Sequence, residues 1–129
     1  FSQKIIADNQ EGLQTISALI SGGKVKVSDL KYLPSSKIFL FLVERFEIEN
    51  ENDNKKLNSI CRIDFVSKVK SKNIDQKKQD MVLNLIAMDY MKNKEDFEIN
   101  LIFDNNSHIT LTTETVEVRL EDNLDKIEK

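Results

Sequence analysis

A chain of 129 residues with 40% hydrophobic and 32% charged residues has the composition of an ordinary globular protein, and its length predicts one domain over residues 1–129 that needs no metal or disulfide to fold. The net charge of −3 is too small to indicate nucleic acid or an anionic membrane as a partner, and we expect neither. The single cysteine, Cys61, excludes a disulfide framework within the chain, and no apolar run is long enough to span a bilayer, so we expect a cytoplasmic protein.

The first predicted elements are a short strand and one helix. Lys4 to Ala7 has the pattern of a short strand, and Asp8 or Asn9 can cap a helix that runs from about Gln10 to Ile20. Gly22-Gly23 then ends the helix. The apolar residues of the helix form one stripe at helical spacing, which indicates one buried face: Leu13, Ile16, Ala18, Leu19 and Ile20.

The most apolar segment, Ile38 to Glu49, predicts a central strand. Ile38 through Val43 is apolar at six consecutive positions, so we expect both faces of the sheet to be covered there. Beyond Val43 the pattern alternates, with Phe46 and Ile48 on one face and Arg45 and Glu47 on the other. Because only one helix is predicted, we expect it to cover one face or one open end of the sheet at this strand.

The rest of the chain predicts strands joined by polar turns. Lys24 to Leu33 forms a hairpin with the central strand through Pro34-Ser35-Ser36, and Asn50 to Lys56 is a polar loop. The remaining strand segments are Asn58 to Ile74, with a break near Phe65-Val66, then Met81 to Met91, and a last hairpin of Phe97 to Phe103 with His108 to Val118. Asp104 to Ser107 joins that hairpin through Asn residues that tolerate positive φ.

About seven meandering strands and one helix, without βαβ alternation, predict an α+β fold that is mostly antiparallel β. We expect a curled sheet or a partly open barrel, with the N-terminal helix at 10–20 covering it, strands within 24–118 and a charged tail at 121–129. By element count, the leading analogy is the pleckstrin-homology-like barrel, although the helix here precedes the strands. The alternative is a generic α+β sheet that packs on a helix.

Few residues carry recognisable chemistry, and we predict no catalytic, cofactor-binding or metal-binding residue. His108 is the only histidine, so no Ser-His-Asp, Cys-His or multi-histidine metal site can be assembled. Cys61 lies in an apolar strand, where a buried, unreactive thiol is the usual outcome. A lysine-rich segment without Arg or aromatic residues favours a solvated strand edge over a nucleic-acid surface: Lys68, Lys70, Lys72, Lys77 and Lys78.

One set of charged residues is a candidate recognition patch: Glu44, Arg45, Arg62 and Asp64. These charges interrupt apolar strands that we expect to be neighbours. Cross-strand pairing of Glu44 with Arg62, or of Arg45 with Asp64, would make them ordinary ion pairs of a sheet face. The alternative is that they bind a partner.

Several motifs carry a resemblance that spans nearly the whole chain. They are D-L-K-Y-L-P from Asp29, R-F at Arg45, R-I-D-F-V-S-K-V-K-S-K-N-I-D from Arg62, V-L-N-L-I-A-M from Val82 and V-E-V-R-L-E-D from Val116. With them the chain resembles a family of small alphaproteobacterial proteins that are grouped as a domain of unknown function. The resemblance implies a bacterial cytoplasmic protein, and it offers no active site to transfer. The chain differs from the family pattern in Ile48, where members usually carry Trp, and in having more Lys than Arg.

Two hypotheses for function follow. The first is a non-enzymatic protein-interaction module that acts through a sheet face or edge, with a homodimer as one form, because one short helix can leave part of Ile38 to Val43 uncovered. The second is a small-ligand-binding barrel or an enzyme whose pocket lies between the helix and the sheet, with Glu44, Arg45 and Arg62 as its polar groups. Neither hypothesis requires a cofactor.

Overall fold

The computed structural model describes residues 4–50 and 53–122, with the side chains of 47–50 and 53–55 left out. Within these residues the chain forms one α-helix and ten strands. Their bounds, in chain order, are β1 Lys4–Ala7, α1 Gln10–Ile20, β2 Lys24–Lys26, β3 Leu30–Leu33, β4 Ile38–Asn50, β5 Asp53–Ile63, β6 Val66–Lys72, β7 Val82–Asn93, β8 Asp96–Phe103, β9 His108–Thr113 and β10 Val118–Asp122.

All the strand pairs are antiparallel, and the strands form one curled sheet. The order across the sheet is β1-β10-β5-β4-β2-β7-β8-β9-β6, and β3 also pairs with β4. The predicted fold class, a curled and mostly antiparallel sheet with one helix, is therefore confirmed. The pleckstrin-homology-like barrel remains an analogy.

The described chain has ten strands instead of about seven because predicted strands are divided or extended. A 3-10 turn at Val27–Asp29 separates β2 from β3, and β2 alone reaches across to β7. Residues 114–117 separate β9 from β10, which then leaves the last hairpin and pairs with β5 and β1. Two strands lie partly or wholly outside 24–118: β1, which the local pattern at Lys4 to Ala7 predicts, and β10. Glu121 and Asp122 of the predicted tail belong to β10, and residues 123–129 lie outside the described part.

The hairpin of β4 and β5 is longer than its side chains predict. Most of the predicted polar loop Asn50 to Lys56 belongs to the two strands, since β4 ends at Asn50 and β5 already begins at Asp53. The pairing continues from Phe39↔Ile63 to Asn50↔Asp53, with one irregularity beyond Ile48. Backbone hydrogen bonds hold such a ladder together, so polar side chains do not prevent it from extending. The predicted break near Phe65 is confirmed, because β5 ends at Ile63 and Phe65 has a φ of 61°.

The helix is capped as expected and lies against β7 and β1. Asn9 Oδ1 accepts a hydrogen bond from the Gly12 backbone N–H at 2.8 Å, and Gly22 has a φ of 84° just beyond the helix end. Ser17 Oγ accepts the Met88 backbone N–H at 2.9 Å, which ties the helix to β7. The helix buries three side chains in the core, so it fills the inner side of the sheet: Leu13, Ile16 and Ile20.

The two faces of β4 differ from the prediction. Its inner face carries Phe39, Phe41, Val43 and Arg45, all buried, and its outer face carries Leu40, Leu42, Glu44 and Phe46. Arg45 and Phe46 lie on opposite faces as predicted, but Arg45, 2% exposed, faces the core and Phe46, 53% exposed, faces solvent. The side chains of Glu47 and Ile48 lie outside the described part. The expectation that both faces are covered at Ile38 to Val43 is wrong, since Leu40 and Leu42 are only half-buried. The reason is that α1 lies on the inner side of the sheet.

Candidate functional site

The four predicted patch residues lie on both faces of the sheet. Glu44, Arg62 and Asp64 lie on the outer face, whereas Arg45 points into the core. The register places Asn58 opposite Glu44 and Leu40 opposite Arg62, so the expected pair of Glu44 with Arg62 does not form. Arg45 lies opposite Leu57 and cannot meet Asp64. The structure thus divides the candidate patch into a buried group and a surface group.

The buried group joins β4, β5 and β10 through three side chains. Arg45 Nε donates to Ser59 Oγ at 2.9 Å, and Arg45 Nη2 donates to Asp122 Oδ1 at 2.9 Å. Ser59 Oγ donates to the same Asp122 oxygen at 2.8 Å. An arginine can be buried when a carboxylate compensates its charge and its N–H groups are hydrogen-bonded. On the inner face of β4, next to Val43, this polar cluster therefore occupies a position that apolar side chains fill elsewhere along the strand.

The surface group is a charged network on β5, β10 and the residues beside them, and it surrounds Asp64, which is itself only 7% exposed. Arg62 Nε and Nη2 both donate to Asp64 Oδ1, at 3.1 Å and 2.9 Å. Arg119 Nη2 lies 3.7 Å from Glu117 Oε2, and Arg119 Nε lies 3.9 Å from Asp64 Oδ2. That last distance is too long for a hydrogen bond, and within the described residues neither of these two atoms has another partner. Two arginines and two carboxylates thus neutralise one another on this face.

A stripe of apolar side chains crosses the outer face of the β4–β5 hairpin. We call it the outer stripe, and it consists of Leu40, Leu42, Phe46 and Ile60. Ile60 is 38% exposed and lies directly opposite Leu42, while Phe46 lies two positions beyond Glu44. Among the described residues, no helix covers these side chains, because the helix is on the other side of the sheet. Two members of the stripe are exposed, Phe46 on the predicted central strand and Ile60 on β5, and Leu40 and Leu42 beside them are half-buried.

A cavity of about 260 Å³ lies next to the outer stripe. Its described lining mixes both charges with two apolar side chains: Lys24, Lys26, Asp29, Leu42, Glu44, Asn58 and Val82. Glu44 is the one member of the predicted patch that lines it, and it also pairs with Lys56, whose Nζ lies 3.2 Å from Glu44 Oε2. Glu44, Arg45 and Arg62 therefore do not converge on a single pocket between helix and sheet.

The remaining reactive side chains have ordinary surroundings. Burial raises the pKa of the Cys61 thiol to about 12, which keeps it protonated and unreactive at neutral pH. His108 is half-buried at the start of β9, beside Lys70 and Lys72 in a shallow depression. No group of three or more metal-ligating side chains occurs among residues 4–50 and 53–122. The lysines of β6 are exposed on a strand at the end of the sheet order, as the sequence predicts.

Sequence reasoning missed Ser59 and Asp122 as partners of Arg45. A signal for Ser59 is present, because Leu57, Cys61 and Ile63 share its period-two face, so its hydroxyl had to lie in the core. Asp122 ends the alternating segment Val118–Asp122 in the same way. Nothing local indicates that these two polar residues would meet one arginine, because β10 pairs with β5 across a separation of more than fifty residues.

The fold and this arrangement define a mostly antiparallel domain with a buried ionic cluster and an open apolar stripe. The chain belongs to the family described as "Protein of unknown function (DUF2948)", which matches residues 3–128, so the resemblance seen in its motifs is confirmed. Comparisons with curated proteins and with solved structures find no match. Within the described part of the chain, no helix has the length and apolar character needed to cross a membrane.

Proposed function

We propose that this protein is a non-enzymatic interaction module that forms a homodimer through the outer stripe. The observation that carries the proposal is the exposure of apolar side chains on a regular, two-stranded surface. Phe46 and Ile60 are large, exposed and held in register by the β4–β5 ladder. Rigid apolar side chains on a sheet face lose little conformational freedom on binding, which favours association through them.

The charges around the outer stripe favour a second copy of this chain as the partner. Lys56 and Glu44 flank Phe46 as an ion pair, and Arg62 and Asp64 form another beside Leu40. A surface that carries both signs can face its own copy without net repulsion, whereas a surface of one sign would require a partner of the opposite sign. The charges that flank the apolar outer stripe are therefore compatible with a second copy of this chain.

The proposal includes the absence of enzymatic activity. Its support is that the one thiol is buried and protonated and that three of the four candidate patch residues are held in ion pairs: Arg62 with Asp64, and Arg45 with Asp122. Arginine and carboxylate groups held in such pairs stabilise structure and are poorly placed to transfer protons to a substrate. We also propose a bacterial cytoplasmic location, which a free, buried cysteine suits because a reducing compartment keeps thiols unpaired.

Measuring the mass of the full chain in solution tests the proposal. We expect native mass spectrometry and light scattering to give twice the chain mass at about 10 µM, a concentration at which a stable dimer with a micromolar Kd is populated. Phe46→Ser and Ile60→Ser should each raise the dimer Kd by about 30-fold, as expected for residues at the centre of an interface.

Met91→Ser is the matched control, because Met91 is 55% exposed on β7 and lies outside the outer stripe. It should leave the dimer unchanged. A chain that stays monomeric at about 100 µM would rule out the homodimer, as would equal dissociation by all three variants. A monomer that carries a small-molecule adduct would instead favour the ligand-binding hypothesis.

A further inference from the structure

A second cavity opens where β3 and the start of β4 approach β6 and β9. Its volume is about 200 Å³, and its wall is mainly apolar: Leu30, Tyr32, Phe39, Val69, Ile74 and Ile109. Phe39 and Ile109 are each 3% exposed and belong to the core. The floor of the cavity is therefore the core itself, which distinguishes it from a shallow hollow between surface side chains.

The wall and the rim are held in place by hydrogen bonds. Tyr32 donates its hydroxyl to the Val66 carbonyl at 2.9 Å, which fixes the ring between β3 and β6. The loop at 75–81 forms the rim, and it is bonded to the 3-10 turn through Ser28 N–H to the Gln79 carbonyl at 3.1 Å and Val27 N–H to the Met81 carbonyl at 2.9 Å. A preformed cavity binds a ligand without the cost of ordering its walls.

The polar groups of the cavity are neutral and lie at the mouth. They are the hydroxyl of Ser71 and the amides of Gln76 and Gln79, in addition to the Tyr32 hydroxyl that is bonded to the Val66 carbonyl, and each described residue that lines the cavity is uncharged. A charged ligand would lose its hydration without a counter-ion there, which is unfavourable. An uncharged ligand could leave one polar substituent at the mouth within reach of these groups.

We propose that this cavity binds a small uncharged aromatic molecule of about the size of indole, with its ring against Phe39 and Ile109. The volume supports this size, because a cavity of about 150 Å³ lined by similar side chains accommodates benzene. Phe39 lies on the inner face of β4, so the cavity and the outer stripe are on opposite sides of the sheet. The ligand site is thus independent of the proposed homodimer.

Indole is the probe, and the full chain is titrated with it while the methyl and amide signals are followed by NMR. We expect saturable shifts at Leu30, Val69, Ile74 and Ile109, with a Kd at or below about 1 mM. Benzoate, which is similar in size but charged, should bind at least about tenfold more weakly. Absence of saturation by indole, shifts that map to other parts of the chain, or equal binding of benzoate would overturn the proposal.

Ser71→Leu is the test variant, because its side chain would fill the mouth, and it should weaken indole binding at least about tenfold. Ser67→Leu is the matched control on the same strand, since Ser67 is exposed, donates to the Thr112 carbonyl and does not line the cavity. Val69→Phe fills the cavity from its wall and provides a second test if Ser71→Leu perturbs the fold. Equal affinity of these three variants for indole would refute the site. Phe46→Ser should bind indole like the unmodified chain, which separates this test from that of the homodimer.

Discussion

Arg45 Nη2 lies 2.9 Å from Asp122 Oδ1 in the core, although the two residues are 77 positions apart in the chain. Their pairing connects the central hairpin to the last strand. Both side chains are almost fully buried, so each charge in the pair helps to compensate the other away from water. The ion pair thus links β4 to β10. A sequence pattern of alternating apolar residues does not predict this link.

Removing one member of this pair should destabilise the fold strongly. Asp122→Ala leaves the Arg45 guanidinium buried beside Ser59 without that carboxylate, and we expect a loss of about 3 kcal/mol in the free energy of unfolding. Urea denaturation measures it. Glu121→Ala, at the exposed neighbouring position, is the control and should change the free energy by less than about 0.5 kcal/mol. Similar losses in the two variants would contradict a special role for the pair.

The buried thiol should make stability fall at high pH. Burial raises the pKa of Cys61 from its ordinary value of 9.0 to about 12. Below about pH 9 the thiol is protonated in both the folded and the unfolded chain, so its full contribution to the free energy of unfolding is present. Between about pH 9 and about pH 12 only the unfolded thiol loses it, and the free energy of unfolding should fall by up to about 1.4 kcal/mol per pH unit.

Cys61→Ala isolates this effect, because the variant retains every other titrating group. The difference in unfolding free energy between the unmodified chain and the variant should be constant below about pH 9 and should decrease above it. Denaturation in urea at a series of pH values gives both curves. Parallel curves across the whole range would show that the thiol does not titrate differently in the folded chain.

A side chain at Gly23 should destabilise the fold, because β4 approaches the Gly23 backbone closely. A Cβ at this position would lie 2.6 Å from Val43 Cγ2 and 2.9 Å from the Ile20 carbonyl oxygen. We expect Gly23→Ala to cost about 2 kcal/mol of unfolding free energy, as overpacked core positions do. The neighbouring Gly22 has nothing within 4 Å of its Cβ position and needs only a positive φ, so Gly22→Asn should lose less than half as much. The reverse order in thermal or urea denaturation would contradict this.

The helix cap offers a smaller and local test. Asn9→Ala removes the acceptor for the Gly12 N–H, and we expect a loss of about 1 kcal/mol, with fraying at the start of the helix. Asp8→Ala is the control, because Asp8 is exposed next to the cap and should have an effect below about 0.5 kcal/mol. Hydrogen exchange at Gly12 and Leu13 reports the fraying directly. Unchanged exchange in Asn9→Ala would show that the cap is not needed.

Local patterns predicted the elements whose formation depends on neighbouring residues. The helix with its Asn9 cap follows from helical spacing, and the burial of Ile99 and Leu101 opposite Leu111 and Ile109 follows from a period of two. Asn105 and Asn106 have φ values of 57° and 59°, as their turn position predicts. Each of these features is decided within a few residues, which is why the sequence alone was sufficient.

The positions of the charged residues depend on contacts between distant strands. An alternating strand has two faces, and its sequence near Arg45 places Arg45 and Phe46 on opposite ones without indicating which is buried, although apolar side chains usually lie inside. The structure buries Arg45 instead, because Asp122 and Ser59 meet it from β10 and β5. The period-two pattern of one strand cannot predict such a pairing. The free energy of a buried charge depends on partner residues, and these lie on other strands.

The sequence by itself determined the class of fold, the helix and most of the turns, because propensity, capping and hydrophobic periodicity act over short distances. Only the tertiary structure decided which face of the central strand is buried, how β10 joins β5 and β1, and which charged residues meet. These depend on strand register and on compensation of charge across the sheet, both of which arise when distant segments come together.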